Sequence, residues 1–146
     1  MLISNINYKG YTAEKLDTLQ FTYKPKQCVL KYLNYTIIIF PNGKCRIMGC
    51  KKPLESKDLP MNIIVERIQS VTVTDSFEMT INLQKLSEKV ICTYEPEIFP
   101  GLRLIRFNPL CVNIFHSGKL VITGLKTLNF FDDVNMIKTY VLHLLK

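Results

Sequence analysis

Five cysteines, two histidines and twelve carboxylates are the groups from which this 146-residue chain could build metal or acid–base chemistry. Their spacing does not favour it. Cys45 and Cys50 lie in a run that reads as a strand, five residues apart, and are expected on opposite faces, away from a shared metal. Neither His116 nor His143 has a Cys or His at ligand spacing, and no Cys-x-x-Cys occurs. His116 falls at a turn and is expected to be exposed. Asp132-Asp133 opens a helical pattern, where carboxylates complement the helix dipole rather than form a catalytic pair. The six glycines are scattered, mostly at turns, with no phosphate-cradling loop. No enzyme, metal or cofactor is expected.

What remains is a basic, aromatic-bearing chain. Lys+Arg 19 against Asp+Glu 12 gives +7 and a pI near 9.2, a balance that favours an anionic partner. The excess is uneven: residues 1–70 carry a net +6 and residues 71–146 a net +1. Hydrophobic residues at 47%, charged residues at 21% and a mean hydropathy of +0.10 describe a globular chain. No window is apolar enough for a membrane span, no secretory leader is expected, and the cysteine usage suits a reduced compartment.

An internal repeat places these residues. Residues 37–51, IIIFPNGKCRIMGCK, and 112–126, VNIFHSGKLVITGLK, share Ile-Phe, Gly-Lys, Ile, Gly and Lys in register. Tyr23-Lys-Pro-Lys and Tyr94-Glu-Pro-Glu form a second matched block, in the same order. The repeats are assigned to residues 1–70 and 71–146. Asn42-Gly43 and Ser117-Gly118 are hairpin signals, which predict strands near 28–40 and 44–49, and near 103–115 and 119–124. Apolar residues at helical spacing (Phe130, Phe131, Val134, Ile137, Val141, Leu144, Leu145) predict a long helix in 127–146. Its counterpart is expected over 55–69, capped by Ser56 or Asp58 with Pro60 in the first turn. Short helices are expected over 12–19, with Thr12 as N-cap, and near 83–89. The fold class is α+β: an antiparallel sheet with helices on one face.

Alternation along the strands separates two sets. Cys45 and Ile47 oppose Lys44, Arg46 and Met48, while Leu120 and Ile122 oppose Lys119, Val121 and Thr123. Thr36, Ile38 and Phe40 share a face, as do Cys111, Asn113 and Phe115. Ser70, Thr72 and Thr74 oppose Val71 and Val73. The apolar set packs under the helices. The other face mixes cations, amides and hydroxyls with large apolar groups, so it calls for a cover: another chain, a loop or a ligand.

At this point the residues resemble a known family. YEPEIFPGLRLIRFNP (94–109) with IFHSGKLVITGLK (114–126) resembles the second repeat of the TATA-binding protein core, and IFPNGKCRIMGCK (39–51) the matching part of the first. The resemblance implies two pseudo-symmetric repeats forming a saddle, with helices on the convex side and the DNA minor groove on the concave side. Apolar wedges that unstack base steps are that family's own mechanism. They fall on Phe40, Phe99 and Phe115, and the fourth position holds Cys28, too small to wedge as a ring does. Lys44, Lys51, Lys119 and Lys126 match its phosphate-holding lysines. Arg46 replaces a small apolar residue of the groove floor, where it could enter a narrow A·T-rich groove or obstruct insertion. Of the pairs of Asn and Thr that read the groove centre, Thr123 is kept. Its partner position is Met48, one Asn position is Ser70 and the other falls near Met1. Thr72, Asn113 and Val121 complete the expected DNA-binding face.

Glu95, Glu97 and Ile98 match the second-repeat stirrup that contacts transcription factor IIB. Lys24 and Lys26 stand at the corresponding first-repeat loop. The resemblance thus implies a transcription initiation factor that binds A·T-rich promoter duplexes, with a factor-IIB-like protein and the RNA polymerase machinery as partners. It would act in the nucleus, or at a viral transcription site if virus-encoded. The altered groove positions imply a different or looser DNA site. They also motivate an alternative, a protein-interaction module of the same fold that mimics or sequesters a transcription factor.

Overall fold

The computed structural model describes residues 1–13 and 28–146, with Cys28 described by its backbone alone. The expected helix over 12–19, from residue 14 onward, and the lysines at 24 and 26 lie outside these residues. The chain divides into two compact units, Ile3–Val71 and Thr72–Lys146, the latter together with Met1 and Leu2.

The first unit contains β1 (Leu2–Tyr11), β2 (Cys28–Tyr32), β3 (Tyr35–Ile39), β4 (Lys44–Cys50) and the start of β5 (Ile64–Ser76). Its strands lie in the order β2-β3-β4-β1-β5, with β2–β3, β3–β4 and β4–β1 antiparallel. The expected strand 28–40 is two strands. Leu33 takes a left-handed conformation (φ 54°) and folds β2 back onto β3, pairing Tyr32 with Tyr35.

The expected helix over 55–69 is absent. Only Ser56–Asp58 make a 3₁₀ turn, and residues from Ile64 onward are strand. Pro53 and Pro60 restrict helix in this stretch, and the β-branched run that follows pairs instead within the sheet. Neither expected cap serves a helix. Ser56 Oγ accepts from the Val65 amide at 2.9 Å, and Glu55 sits at the N-cap. The segment still closes the core: Leu54 is buried, and its amide donates to Tyr8 Oη at 3.1 Å.

The second unit begins with the end of β5. It adds α1 (Leu83–Ser87), β6 (Cys92–Thr93), β7 (Leu102–Leu104), β8 (Cys111–Ile114), β9 (Lys119–Leu125) and α2 (Phe131–Leu144), with strands in the order β5-β9-β8-β7-β6. The expected strand 103–115 is again two, interrupted by turns in which the Asn108 amide donates to Ile105 and the Leu110 amide to Phe107. Both helices expected here form. Asn82 Oδ1 caps α1 by accepting from the Lys85 amide at 3.0 Å. Val134, Ile137 and Val141 form the buried stripe of α2. Tyr140 meets Phe107 edge to face, with the Arg106 guanidinium 4.8 Å from its ring centroid.

The two units repeat one construction. In the first hairpin the Phe40 amide donates to Lys44 and the Gly43 amide to Phe40. In the second, Phe115 donates to Lys119 and Gly118 to Phe115, each bond 2.9 Å. Gly43 and Gly118 take φ of 84° and 89°, and their carbonyls accept from the Thr12 and Phe77 amides. A Cβ at either glycine would run into the neighbouring backbone, so the hairpin requires glycine for both its dihedral and its approach.

Burial confirms the two faces in each unit. Ile6, Tyr8, Ile37, Ile39, Cys45 and Ile47 are in the core of the first, and Leu102, Leu104, Val112, Ile114, Leu120 and Ile122 in that of the second. Cys50 departs from the expected alternation. It is fully buried, like Cys45, because the β1–β4 register slips between Ile6 and Tyr8 and returns Cys50 to the core side. Burial pushes both thiols up to about 11.

Candidate nucleic-acid interface

In the first unit, the face opposite the core is built by β1, β3 and β4. Arg46 stands mid-strand on β4, between Ile38 of β3 and Lys9 of β1, which are its register partners. Its guanidinium lies 6.0 Å from the Phe40 ring centroid. Thr36 pairs with Met48 and accepts from Lys31 Nζ at 2.7 Å. Lys44 is exposed at the hairpin end of β4, and Lys51 is exposed just beyond its other end. Ser70 is half-buried on β5, and Asn7 Nδ2 donates to its hydroxyl at 3.3 Å. Asn7 is held in turn: its Oδ1 accepts from Asn5 Nδ2 at 3.0 Å.

Asn7 and Lys9 were not singled out from sequence, and the structure brings both to this face. The expected partner of Ser70 near Met1 is therefore corrected. Asn7 is the carboxamide that meets Ser70, whereas the matching contacts of Thr12 with Gly43 and Phe77 with Gly118 make Asn5 the repeat counterpart of Ser70. The signal was present as alternation over 2–11, with Ile6, Tyr8 and Gly10 buried and Asn5, Asn7 and Lys9 turned outward.

In the second unit, Asn113 pairs with Val121 and Cys111 with Thr123 across β8 and β9. Thr72 shares a 3.4 Å hydroxyl contact with Thr123. Arg103 on β7 stands beside Asn113 and is exposed, another residue of this face that the sequence reading passed over. Alternation between Leu102 and Leu104 was its signal.

Phe99 and Phe115 meet edge to face at 5.8 Å, and Phe99 is 44% exposed despite that partner. Gly101 lies against both rings. A Cβ there would come within 2.7 Å of Phe99 and 3.1 Å of Phe115, so the aromatic pair can sit this low only over glycine. Lys119 and Lys126 are exposed at the two ends of β9. They match Lys44 and Lys51 of the first unit in position.

The loop before Gly101 turns tightly, with the Ile98 and Phe99 amides both donating to the Glu95 carbonyl at 2.9 and 3.0 Å. That turn leaves Glu95 and Glu97 exposed, and Ile98 80% exposed. A large apolar side chain so displayed beside two carboxylates suits a protein contact. Of the residues named for the site from the resemblance, the Cys28 side chain and the lysines at 24 and 26 lie outside the described structure. Among the described residues no cluster of three or more Cys, His, Asp or Glu is placed to hold a metal ion.

Comparison with known proteins accords with this construction. Residues 65–137 match the family described as transcription factor TFIID (or TATA-binding protein, TBP). A TATA-box-binding protein of Methanococcus vannielii is 35% identical over 138 residues, covering 81% of this chain and 75% of that protein. One from Tetrahymena thermophila is 33% identical over 108 residues, covering 63% of this chain and 44% of that protein. The solved structure of Methanococcus jannaschii TBP superposes with a TM-score of 0.79 at 25% identity, covering 98% of each chain. An α+β fold with open-faced antiparallel sheets and these likenesses define a transcription factor. The chain belongs to the TATA-binding protein family, and its fold is that family's, as the resemblance implies.

Proposed function

We propose that this protein is a transcription initiation factor that binds A·T-rich promoter DNA through the minor groove, bends it, and recruits a factor-IIB-like protein. The observation that carries the reading is the Phe99–Phe115 pair, stacked edge to face over Gly101 with Phe99 exposed on the polar side of the sheet. Two rings held outward in this way are suited to enter a base step and unstack it, and the wedge is this family's known device.

Around the wedge, Lys44, Lys51, Lys119 and Lys126 would hold backbone phosphates. Each contact steepens the dependence of log affinity on log salt by about one unit. Met48, Ser70, Thr72, Asn113, Val121 and Thr123 would face the groove floor, with Phe40 as the first-repeat wedge. Glu95, Glu97 and Ile98 would receive the factor-IIB-like partner, and the RNA polymerase machinery would assemble on that complex. The proposed site of action is the nucleus, or the viral transcription site of a virus-encoded factor.

The test is binding to a TATA-containing duplex and a G·C-rich control, with bending followed by end labels, across a salt series. Tight, salt-dependent binding with bending is expected, stronger on the A·T-rich duplex. Absence of binding to either duplex at low salt would overturn the DNA reading and leave a protein-interaction module.

A further inference from the structure

We propose that Lys9 and Arg46 form a cation pair that selects a narrow, A·T-rich half of the groove for the first repeat. The inference rests on the DNA-binding reading above and adds how one half-site is chosen.

Lys9 and Arg46 are direct register partners across β1 and β4, on the face opposite the core. Like charges placed opposite each other in a sheet are destabilising. Among the described residues neither cation has an ion-pair partner. A cavity of about 400 Å³ opens beside them, lined also by Phe40, Lys44, Arg67 and the single carboxylate Glu66. Four cations around one carboxylate leave a local positive field that a bound anion or a strongly negative surface relieves. The Phe40 ring steadies the Arg46 guanidinium without neutralising it.

Position decides what the pair meets. Lys44 sits at the hairpin end of β4, whereas Arg46 lies two residues further in, flanked by Ile38 and Lys9 on the neighbouring strands. A cation in mid-strand faces the groove floor rather than the phosphates at its rim. Narrow A·T-rich minor grooves concentrate negative potential and attract inserted Arg and Lys. A G·C pair adds an amino group that projects into the same space. In the second unit the position of Arg46 is held by Val121, whose partner is Asn113. The two repeats therefore place different demands on their half-sites.

The test uses three duplexes: an A·T-rich site, the same site with diaminopurine for adenine in one half, and with diaminopurine in both halves. Diaminopurine adds the minor-groove amino group without introducing guanine or cytosine. Wild-type protein is expected to tolerate the singly substituted site by placing its first repeat on the unmodified half, and to lose roughly tenfold in affinity on the doubly substituted one. Arg46→Val, which copies the second repeat, and Lys9→Ala should each shrink that loss to about twofold. Each should also lower the salt slope by about one unit.

Both variants should also raise the melting temperature of the free protein, because each relieves the Lys9–Arg46 repulsion. Wild-type binding with an amino-group loss and salt slope that neither variant alters would overturn the inference while sparing the DNA reading. No wild-type binding to any of the three duplexes would overturn both.

Discussion

Asn7 and Ser70 share a hydrogen bond, Nδ2 to Oγ at 3.3 Å, on the polar side of the first unit. Two hydrogen-bonding side chains thus meet between β1 and β5. One is a full carboxamide and the other a hydroxyl with half its reach.

Replacing the shorter partner tests whether this contact belongs to the groove centre. Ser70→Asn should strengthen binding to a TATA-containing duplex several-fold, since one added hydrogen bond contributes about 1 kcal/mol. Asn7→Ala should weaken it comparably. Equilibrium titration of both variants on the A·T-rich and G·C-rich duplexes checks this, and equal effects on the two duplexes would place the pair outside base readout.

The aromatic pair should control bending more than affinity for unbent DNA. Phe115→Ala removes one ring and exposes the edge of the other, and should reduce the bend measured by end-to-end energy transfer. Base unstacking costs a few kcal/mol per step, so a wedge that no longer enters should leave a weaker and straighter complex. Retention of the full bend by both Phe99→Ala and Phe115→Ala would exclude this pair as the wedge.

Charge reversal in the 95–98 turn should separate the two proposed surfaces. Glu95→Arg should abolish assembly with a factor-IIB-like protein and leave the protein–DNA complex intact, because Glu95 and Glu97 are exposed. A native gel with protein, duplex and partner reads both steps at once. An unchanged ternary complex would remove Glu95 from the partner surface.

Asp75 makes stability depend on acid. Burial by itself would raise its carboxyl, but the Ser76 amide and the Lys138 ammonium, 3.2 Å away, outweigh it and hold the group below the ordinary carboxylate range. The stabilisation is present above the unfolded value near pH 4 and is lost as pH falls through the lower folded value. Asp75→Asn should therefore lower stability at pH 7 and flatten its decline as pH falls below about 4. Urea unfolding across that range measures it.

The buried thiols predict a reactivity pattern. With Cys45 and Cys50 pushed up to about 11, native protein at pH 8 should keep both unmodified by a thiol reagent, while Cys111 on the open face reacts. Unfolding should release the two protected thiols together, as mass spectrometry of labelled peptides would show. Their ionisation disfavours the folded state, so stability should also decline as pH rises from about 9 towards 11.

Much of the face assignment was legible because alternation is a local signal: Arg46 and Met48 against Cys45 and Ile47 needs no partner strand to be read. The Cys50 error shows where that stops. Its burial comes from a register slip against β1, and the extra residue falls on β4 beside Gly49 (φ 89°), a bulge marker that simple alternation passes over. Leu33 carries no turn signature, yet it divides the run 28–40. Ile64, Val65 and Ile68 fit helical spacing as well as strand, and pairing within the sheet decided between them. The motif-borne residues, Phe99, Phe115 and the four lysines, were found by resemblance. Asn7, Lys9 and Arg103 lie outside the quoted motifs and needed the strands to be placed side by side.

The two hairpins share their main-chain wiring bond for bond, from Phe40, Gly43 and Lys44 to Phe115, Gly118 and Lys119. Their outward side chains share far less, and the polar member has changed strands: Ile38 opposes Arg46 in one, Asn113 opposes Val121 in the other. Scaffold and message are therefore separable within one molecule. After a duplication, such a scaffold lets either half drift towards a new text without relearning how to fold. Two halves built on one main-chain plan thus carry two different surfaces.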